Sequence, residues 1–234
     1  MEISKKLNII GDVHGNPVAL DLIMDDAINV FVGDYLDAKR ENYQTGQEIN
    51  FLEILRYKQE NPDKVNLLLA NHDMPYFFLG RYGYVAANSK AFHYYEMFQT
   101  HKHLFDGVAY GKGKYLITHA GVSKVWYEKY FGEYKGETAE ELAQKLNDLF
   151  WEDPNAYTFG EQHYYVTDIY GDDEHQSPVW IRPRALKEYN LLENTDIVQI
   201  VGHTPKQKIE NFNNKIIFID CLLYSAESYV VEVK

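Results

Sequence analysis

Five stretches decide the reading of this chain: Gly11-Asp12-Val13-His14-Gly15, Gly33-Asp34-Tyr35-Leu36-Asp37, Asn71-His72-Asp73, Thr118-His119-Ala120-Gly121 and Gly202-His203-Thr204. Each follows a short apolar run with the look of a buried strand: Leu7-Asn8-Ile9-Ile10, Val30 to Val32, Val65 to Ala70, Tyr115 to Thr118 and Ile197 to Val201. Polar residues at the ends of such strands mark the place where open α/β sheets put their ligands. Between the strands the pattern turns helical. Asn16-Pro17 reads as a cap and first-turn proline, with Leu20, Ile23, Ala27 and Ile28 as the apolar stripe of the helix behind it. A second helix is expected over roughly residues 46–60, and a third where Thr138-Ala139-Glu140-Glu141 forms a capping box ahead of Leu142, Ala143, Leu146, Leu149 and Phe150. Gly111 to Lys114 is a hairpin turn, and residues 216–219 and 229–233 are further strands. Residues 151–179 show no period and read as a long irregular insertion.

Composition narrows the function classes. The net charge of -12, from 35 acidic and 23 basic residues, repels polyanions and makes nucleic acid an unlikely partner. There is one cysteine, Cys221, so no disulfide can form within the chain. No apolar run approaches the ~20 residues of a membrane span, and the N-terminus lacks a signal-peptide pattern, so a soluble, cytoplasmic protein is expected.

The chemistry lies in the strand ends. Together they offer carboxylates, an amide oxygen and imidazoles, a mixed donor set suited to borderline ions such as Mn, Fe or Zn. An aspartate can bridge two such ions ~3.5–4 Å apart, an arrangement that polarises a phosphoryl group and supplies hydroxide at neutral pH. Any one stretch arises by chance, and a lone histidine is usually a packed or surface residue. That plain reading is taken for His93, His101, His103, His163 and His175. Five strand-end stretches in one chain are a different matter.

With these residues in view, the chain resembles the calcineurin-like metallophosphoesterases, from Gly11 to the strands after His203. Within them it is similar to the phosphoprotein-phosphatase branch with its compact bacterial and phage members. The resemblance implies an α/β fold: one domain over residues 1–234, a four-layer sandwich of two packed mixed β-sheets flanked by helices. It implies two divalent metal ions, manganese first, with iron or zinc as alternatives. Asp12, His14 and Asp34 would hold the first ion, Asp34 would bridge, and Asn71, His119 and His203 would complete the second. His72 would be the general acid and Asp37 its orienting partner. Pro205 stands where nuclease and purple-phosphatase branches carry a second histidine, which favours the phosphoprotein-phosphatase type.

Two departures bear on the substrate. The family's second stretch continues Asp-Arg-Gly, with the arginine gripping phosphate, whereas here Asp37 is followed by Ala38, Lys39 and Arg40. Arg40 and Lys39 are the nearest replacements. Arg182, two places after Trp180, matches a phosphate-binding arginine of the compact members, and a guanidinium can grip two phosphate oxygens at once. Asp73 stands where the family has glutamate and resembles the diadenosine-tetraphosphate hydrolases. The substrate is therefore expected to be a phosphorylated protein (serine/threonine type), with a dinucleoside polyphosphate or another small phosphoester as the alternative. A non-catalytic metal-binding module is the rival from another class, which missing ligands would mark; here every ligand position is filled. The aromatic residues Trp151, Tyr157, Phe159, Tyr164, Tyr165 and Tyr170 of the insertion are expected to pack onto the body rather than form a wall for a substrate ring. Asp172-Asp173-Glu174 is expected to be a solvated acidic turn.

Overall fold

A computed structural model describes residues 6–82, 84, 88–160 and 171–233. Its strands are β1 (Lys6–Ile10), β2 (Ile28–Phe31), β3 (Val65–Leu67), β4 (Ala109–Lys112), β5 (Tyr115–Thr118), β6 (Val198–Val201), β7 (Glu210–Phe212), β8 (Ile216–Phe218) and β9 (Tyr229–Glu232). Its α-helices are α1 (Val18–Asp21), α2 (Glu41–Gln44), α3 (Gln47–Glu60), α4 (Met74–Phe77), α5 (Ala91–Thr100), α6 (Lys124–Phe131), α7 (Ala139–Glu152) and α8 (Pro183–Glu188).

The strands form two mixed sheets, ordered β3-β2-β1-β9 and β4-β5-β6-β8-β7. In each, three strands run parallel, β1, β2 and β3 in the first and β5, β6 and β8 in the second, and the antiparallel partners sit at edges. The facing sides meet through Leu7, Ile9, Val30, Ile117, Ile200 and Ile217, all essentially without solvent contact. Alternation along a strand sends the next residue to the other face, so Ile10 and Phe31 join the helix-side core with Phe51, Ile54 and Leu142. This is the expected α/β sandwich with helices outside. Both parallel sets point their C-terminal ends the same way, which brings the five polar stretches together.

The cap at Thr138 forms as expected: its hydroxyl accepts from Glu141 N while the Glu141 carboxylate accepts from Thr138 N. The first helix is shorter than its apolar spacing suggests. Asn16 Oδ1 accepts from Val18 N at 3.1 Å, but α1 ends at Asp21 and Ile28 already belongs to β2. Asn29 is the cause. Its side chain accepts from Met24 N at 2.9 Å and donates to Met24 O at 2.9 Å, folding residues 22–27 into a turn. Of the aromatic residues in the insertion, Tyr157 is buried and bonds Leu146 O at 2.7 Å, and Trp151 packs on Phe77 and Phe150. Phe159 instead borders a cavity of about 980 Å³, and Tyr164, Tyr165 and Tyr170 lie outside the described residues. The acidic turn is not simply solvated. Asp172 pairs with Arg184 at 2.7 Å and accepts from Ala185 N in the first turn of α8, while Asp173 is buried. No described helix is long and apolar enough to cross a membrane.

Candidate metal centre and active site

Backbone strain marks the site first. Seven non-glycine residues among those described have positive φ, and four of them are His14 (41°), Asp34 (55°), Asp37 (58°) and His203 (67°). Such conformations cost energy and persist where the surroundings fix them, commonly at sites of function. Neighbouring glycines make room. A Cβ on Gly202 would stand 2.1 Å from Asp12 Oδ1, and one on Gly33, at φ 101°, would stand 2.4 Å from the Ala70 Cβ.

Three imidazoles are held alike. His14 Nδ1 donates to Leu36 O at 3.0 Å, His119 Nδ1 to Val32 O at 3.0 Å, and His203 Nε2 to Trp180 O at 3.0 Å. Each bond fixes a tautomer and leaves the other nitrogen as a bare lone pair, the usual preparation of a metal ligand. His14 Nε2 lies 3.3 Å from Asp34 Oδ2. His119 Nε2 lies 2.8 Å from Asn71 Oδ1 and 3.1 Å from His203 Nδ1, and His203 Nδ1 is 3.1 Å from Asn71 Oδ1. Burial depresses the imidazolium form: it lowers His119 to about 4, and together with His119 and Arg182 it holds His203 well below the usual range. Three acceptors thus face one point with no proton to share, and a cation there removes the repulsion. The donor set fits a divalent metal.

The carboxylates agree. His14, Asp34 and His72 form one group of closely spaced ligand atoms, and Asp12, Asp34 and His119 form another, with Asp34 common to both. Asp12 is pushed up by burial, then by Asp220 and Asp34, which outweigh the His203 N–H that it accepts and the charge of Lys39. Burial also opposes the charge of Asp34, yet His119, His72 and His14 hold it well below the usual range.

His72 sits at the mouth. Its backbone N donates to Asp34 Oδ1 at 3.0 Å and its Nδ1 to Asp37 Oδ2 at 3.0 Å. Burial works against its charge, but Asp34 and Asp37 outweigh this and raise its pKa. Asp37 is steadied by Tyr76 Oη at 2.6 Å and Asn88 Nδ2 at 3.3 Å. Arg182 donates to Thr204 Oγ1 at 3.2 Å and borders a cavity of about 980 Å³ that also takes in Asp37, Asn71, His72, Phe159 and Trp180. Arg40 does not join them: it donates to Leu223 O and lies 5.8 Å over the Tyr43 ring. Its neighbour Lys39 is the cation that reaches inward, with Nζ 3.2 Å from His72 Nε2.

Residues 5–207 match the family model described as calcineurin-like phosphoesterase. The chain belongs to that family. Its members are phosphohydrolases, and the enzyme class follows. Among solved structures, the cold-active protein-tyrosine phosphatase of a psychrophilic Shewanella species superposes with a TM-score of 0.57 at 17% identity, covering 97% of this chain and 75% of that one. A protein serine/threonine phosphatase from Saccharomyces cerevisiae with similarity to human phosphatase PP5 gives a TM-score of 0.51 at 14% identity, over 93% and 67%. These likenesses establish the shared fold. Among curated protein sequences none matches the chain.

In this phosphoesterase two further aspartates matter: Asp73, taken from the sequence as a clue to the substrate, and Asp220, which the sequence reading did not single out. Asp73 lies fully buried and accepts from Asp34 N at 2.8 Å, Ala70 N at 3.0 Å and Tyr35 N at 3.0 Å. It ties the second polar stretch to the third and faces away from the cavity, so its difference from glutamate concerns the scaffold. Asp220 follows Ile219 just past the end of β8, is raised to about 6 by burial and by Asp34, and borders the same small cavity as Asp12 and His14. The strand-end rule that found the other five stretches also points to it, since Ile216 to Ile219 is an apolar run closed by an aspartate.

Proposed function

We propose that this phosphoesterase hydrolyses phosphate monoesters, with phosphorylated protein side chains of the serine/threonine type as its substrate class. Asp12, His14 and Asp34 would hold one divalent ion, and Asp34, Asn71, His119 and His203 a second. When bound, the ions supply Lewis acidity toward the phosphoryl oxygens and a water acidic enough to attack at neutral pH. The convergence of three lone pairs from Asn71, His119 and His203 is the observation that carries this reading.

The protein's own groups do the rest. His72, charged through Asp37 and Asp34, gives its Nε2 proton to the leaving oxygen, and Asp37, held by Tyr76 and Asn88, keeps the ring in place. Arg182 grips the phosphoryl oxygens from the β6 side with a planar fork. A second reading concerns the organic half of the substrate. Tyr82, Tyr84, Phe159 and Trp180 border the cavity, with Tyr82 and Phe159 well exposed, and these rings favour a planar group beside the phosphate. Among protein side chains that is phosphotyrosine. Asp73 faces backbone amides, so it lends no weight to a dinucleoside polyphosphate.

A substrate panel on metal-loaded protein tests the function. Phosphoserine and phosphotyrosine peptides and p-nitrophenyl phosphate are expected to be cleaved faster than diadenosine tetraphosphate, with loss of activity on chelation and recovery with Mn. Full activity in the chelated protein, or cleavage of diadenosine tetraphosphate alone, rejects the reading. Within the same panel, Arg182→Ala is expected to lower kcat/KM by about 1.5–3 kcal/mol, the worth of a hydrogen bond to a charged group. Arg182→Lys recovers part of the loss, because an ammonium cannot form the fork. Wild-type kcat/KM in Arg182→Ala moves the grip elsewhere.

A further inference from the structure

The chain lacks the arginine that its resemblance places after Asp37, yet one exposed cation does enter the site from that loop. Lys39 Nζ stands 3.2 Å from His72 Nε2, the nitrogen assigned to the leaving oxygen. Its charge is felt at Asp12 and Asp220 as well as at His72. Lys39 also borders a smaller cavity of about 130 Å³ with Asp12, His14 and Asp220, whereas Arg182 borders the larger one. The two cations therefore approach the centre from different sides, Lys39 from the loop after β2 and Arg182 from the stretch before α8.

We propose that Lys39 is the phosphate-binding residue that replaces the absent arginine, resting on the reading of the site as a phosphoesterase. Its ammonium bonds a phosphoryl oxygen close to His72, opposite the guanidinium of Arg182. Chemistry favours this over a fixed partnership with His72. A general acid must carry a proton on Nε2, and an ammonium cannot stay at hydrogen-bond distance from an imidazolium. An oxyanion placed between the two satisfies both cations. A lysine on a flexible four-carbon stem makes that move without rearranging the loop, and it acts as a point charge where the arginine would act as a fork. The competing explanation is that Lys39 merely offsets the charge crowded onto Asp12, Asp34 and Asp220. It predicts that removal of Lys39 changes metal content and leaves phosphate affinity per loaded site intact.

Calorimetric titration of metal-loaded full-length protein with orthophosphate separates these, with metal content measured for every variant. Lys39→Ala is expected to weaken orthophosphate binding about 10- to 100-fold at unchanged metal content. Lys39→Arg should retain most of the affinity, and Ala38→Arg combined with Lys39→Ala should recover part of it. Equal affinity in wild type and Lys39→Ala, a loss that simply follows metal content, or no orthophosphate binding by the wild type each overturns the proposal. Failure of the phosphoesterase reading shows differently: the wild type would bind orthophosphate and cleave nothing in the substrate panel.

Discussion

Asp34→Asn is expected to remove both bound metal and activity, with a loss in kcat larger than the about 10²–10³-fold that removal of one oxyanion donor costs in a hydrolase. Asp34 is the one residue shared by both groups of ligand atoms. One oxygen faces His14 Nε2 at 3.3 Å and His119 Nε2 at 3.7 Å, and the other accepts from His72 N at 3.0 Å. An asparagine keeps the size but brings one oxygen and an NH₂, so it cannot serve two ions, and the charge that attracts them falls by one. Removing that charge also relieves Asp12 and Asp73, whose carboxyls Asp34 pushes up. Burial opposes the Asp34 charge, but His119, His72 and His14 outweigh it, so the metal-free variant is nevertheless expected to melt below the metal-free wild type at neutral pH. Elemental analysis, thermal melting and kcat on one preparation check this. A variant with full metal content and near-normal kcat removes Asp34 from the bridging role.

The parts of this site that were legible in sequence are those that rest on chain geometry. A strand that ends in Gly-Asp or Gly-His displays its polar residue at the sheet's edge whatever the rest of the fold does. The strand-end positions of Asp12, His14, Asp34, Asn71, His119 and His203 were readable for that reason, and so were the short apolar runs that became strands of the two sheets around Ile9, Val30 and Ile200. Side-chain reach is not readable in the same way. Lys39 and Arg40 are adjacent and both cationic, and only the fold sends one to His72 and the other to Leu223 O. Asp73 looked like a clue to the substrate because its position was known and its direction was not. The first helix was overread for a related reason: Asn29 closes residues 22–27 into a turn through side-chain bonds that no apolar period reports.

His72→Asn provides the sharpest test of the chemical step. The ring is half-buried, raised in pKa by Asp34 and Asp37, and oriented by a chain that runs through Asp37 to Tyr76 and Asn88. Its Nε2 faces the cavity side, and its Nδ1 is already committed to Asp37, so only one nitrogen is available to give a proton. Asparagine can keep a donor toward Asp37 but has no proton to deliver. The expected loss in kcat on a phosphoserine peptide is about 10²–10⁴-fold, the usual worth of general acid catalysis. On p-nitrophenyl phosphate the loss should shrink, because nitrophenolate departs without protonation. A group that must be protonated to act works below its pKa and fails above it, and a pKa raised in the folded protein extends that range upward. The alkaline fall in kcat should accordingly be present in the wild type and absent in the variant. Metal content decides between acid and ligand, since His72 belongs to one of the two groups of ligand atoms with His14 and Asp34. Nearly intact metal with a leaving-group-dependent loss fits the acid, whereas an equal loss on both substrates together with depleted metal would make His72 a ligand.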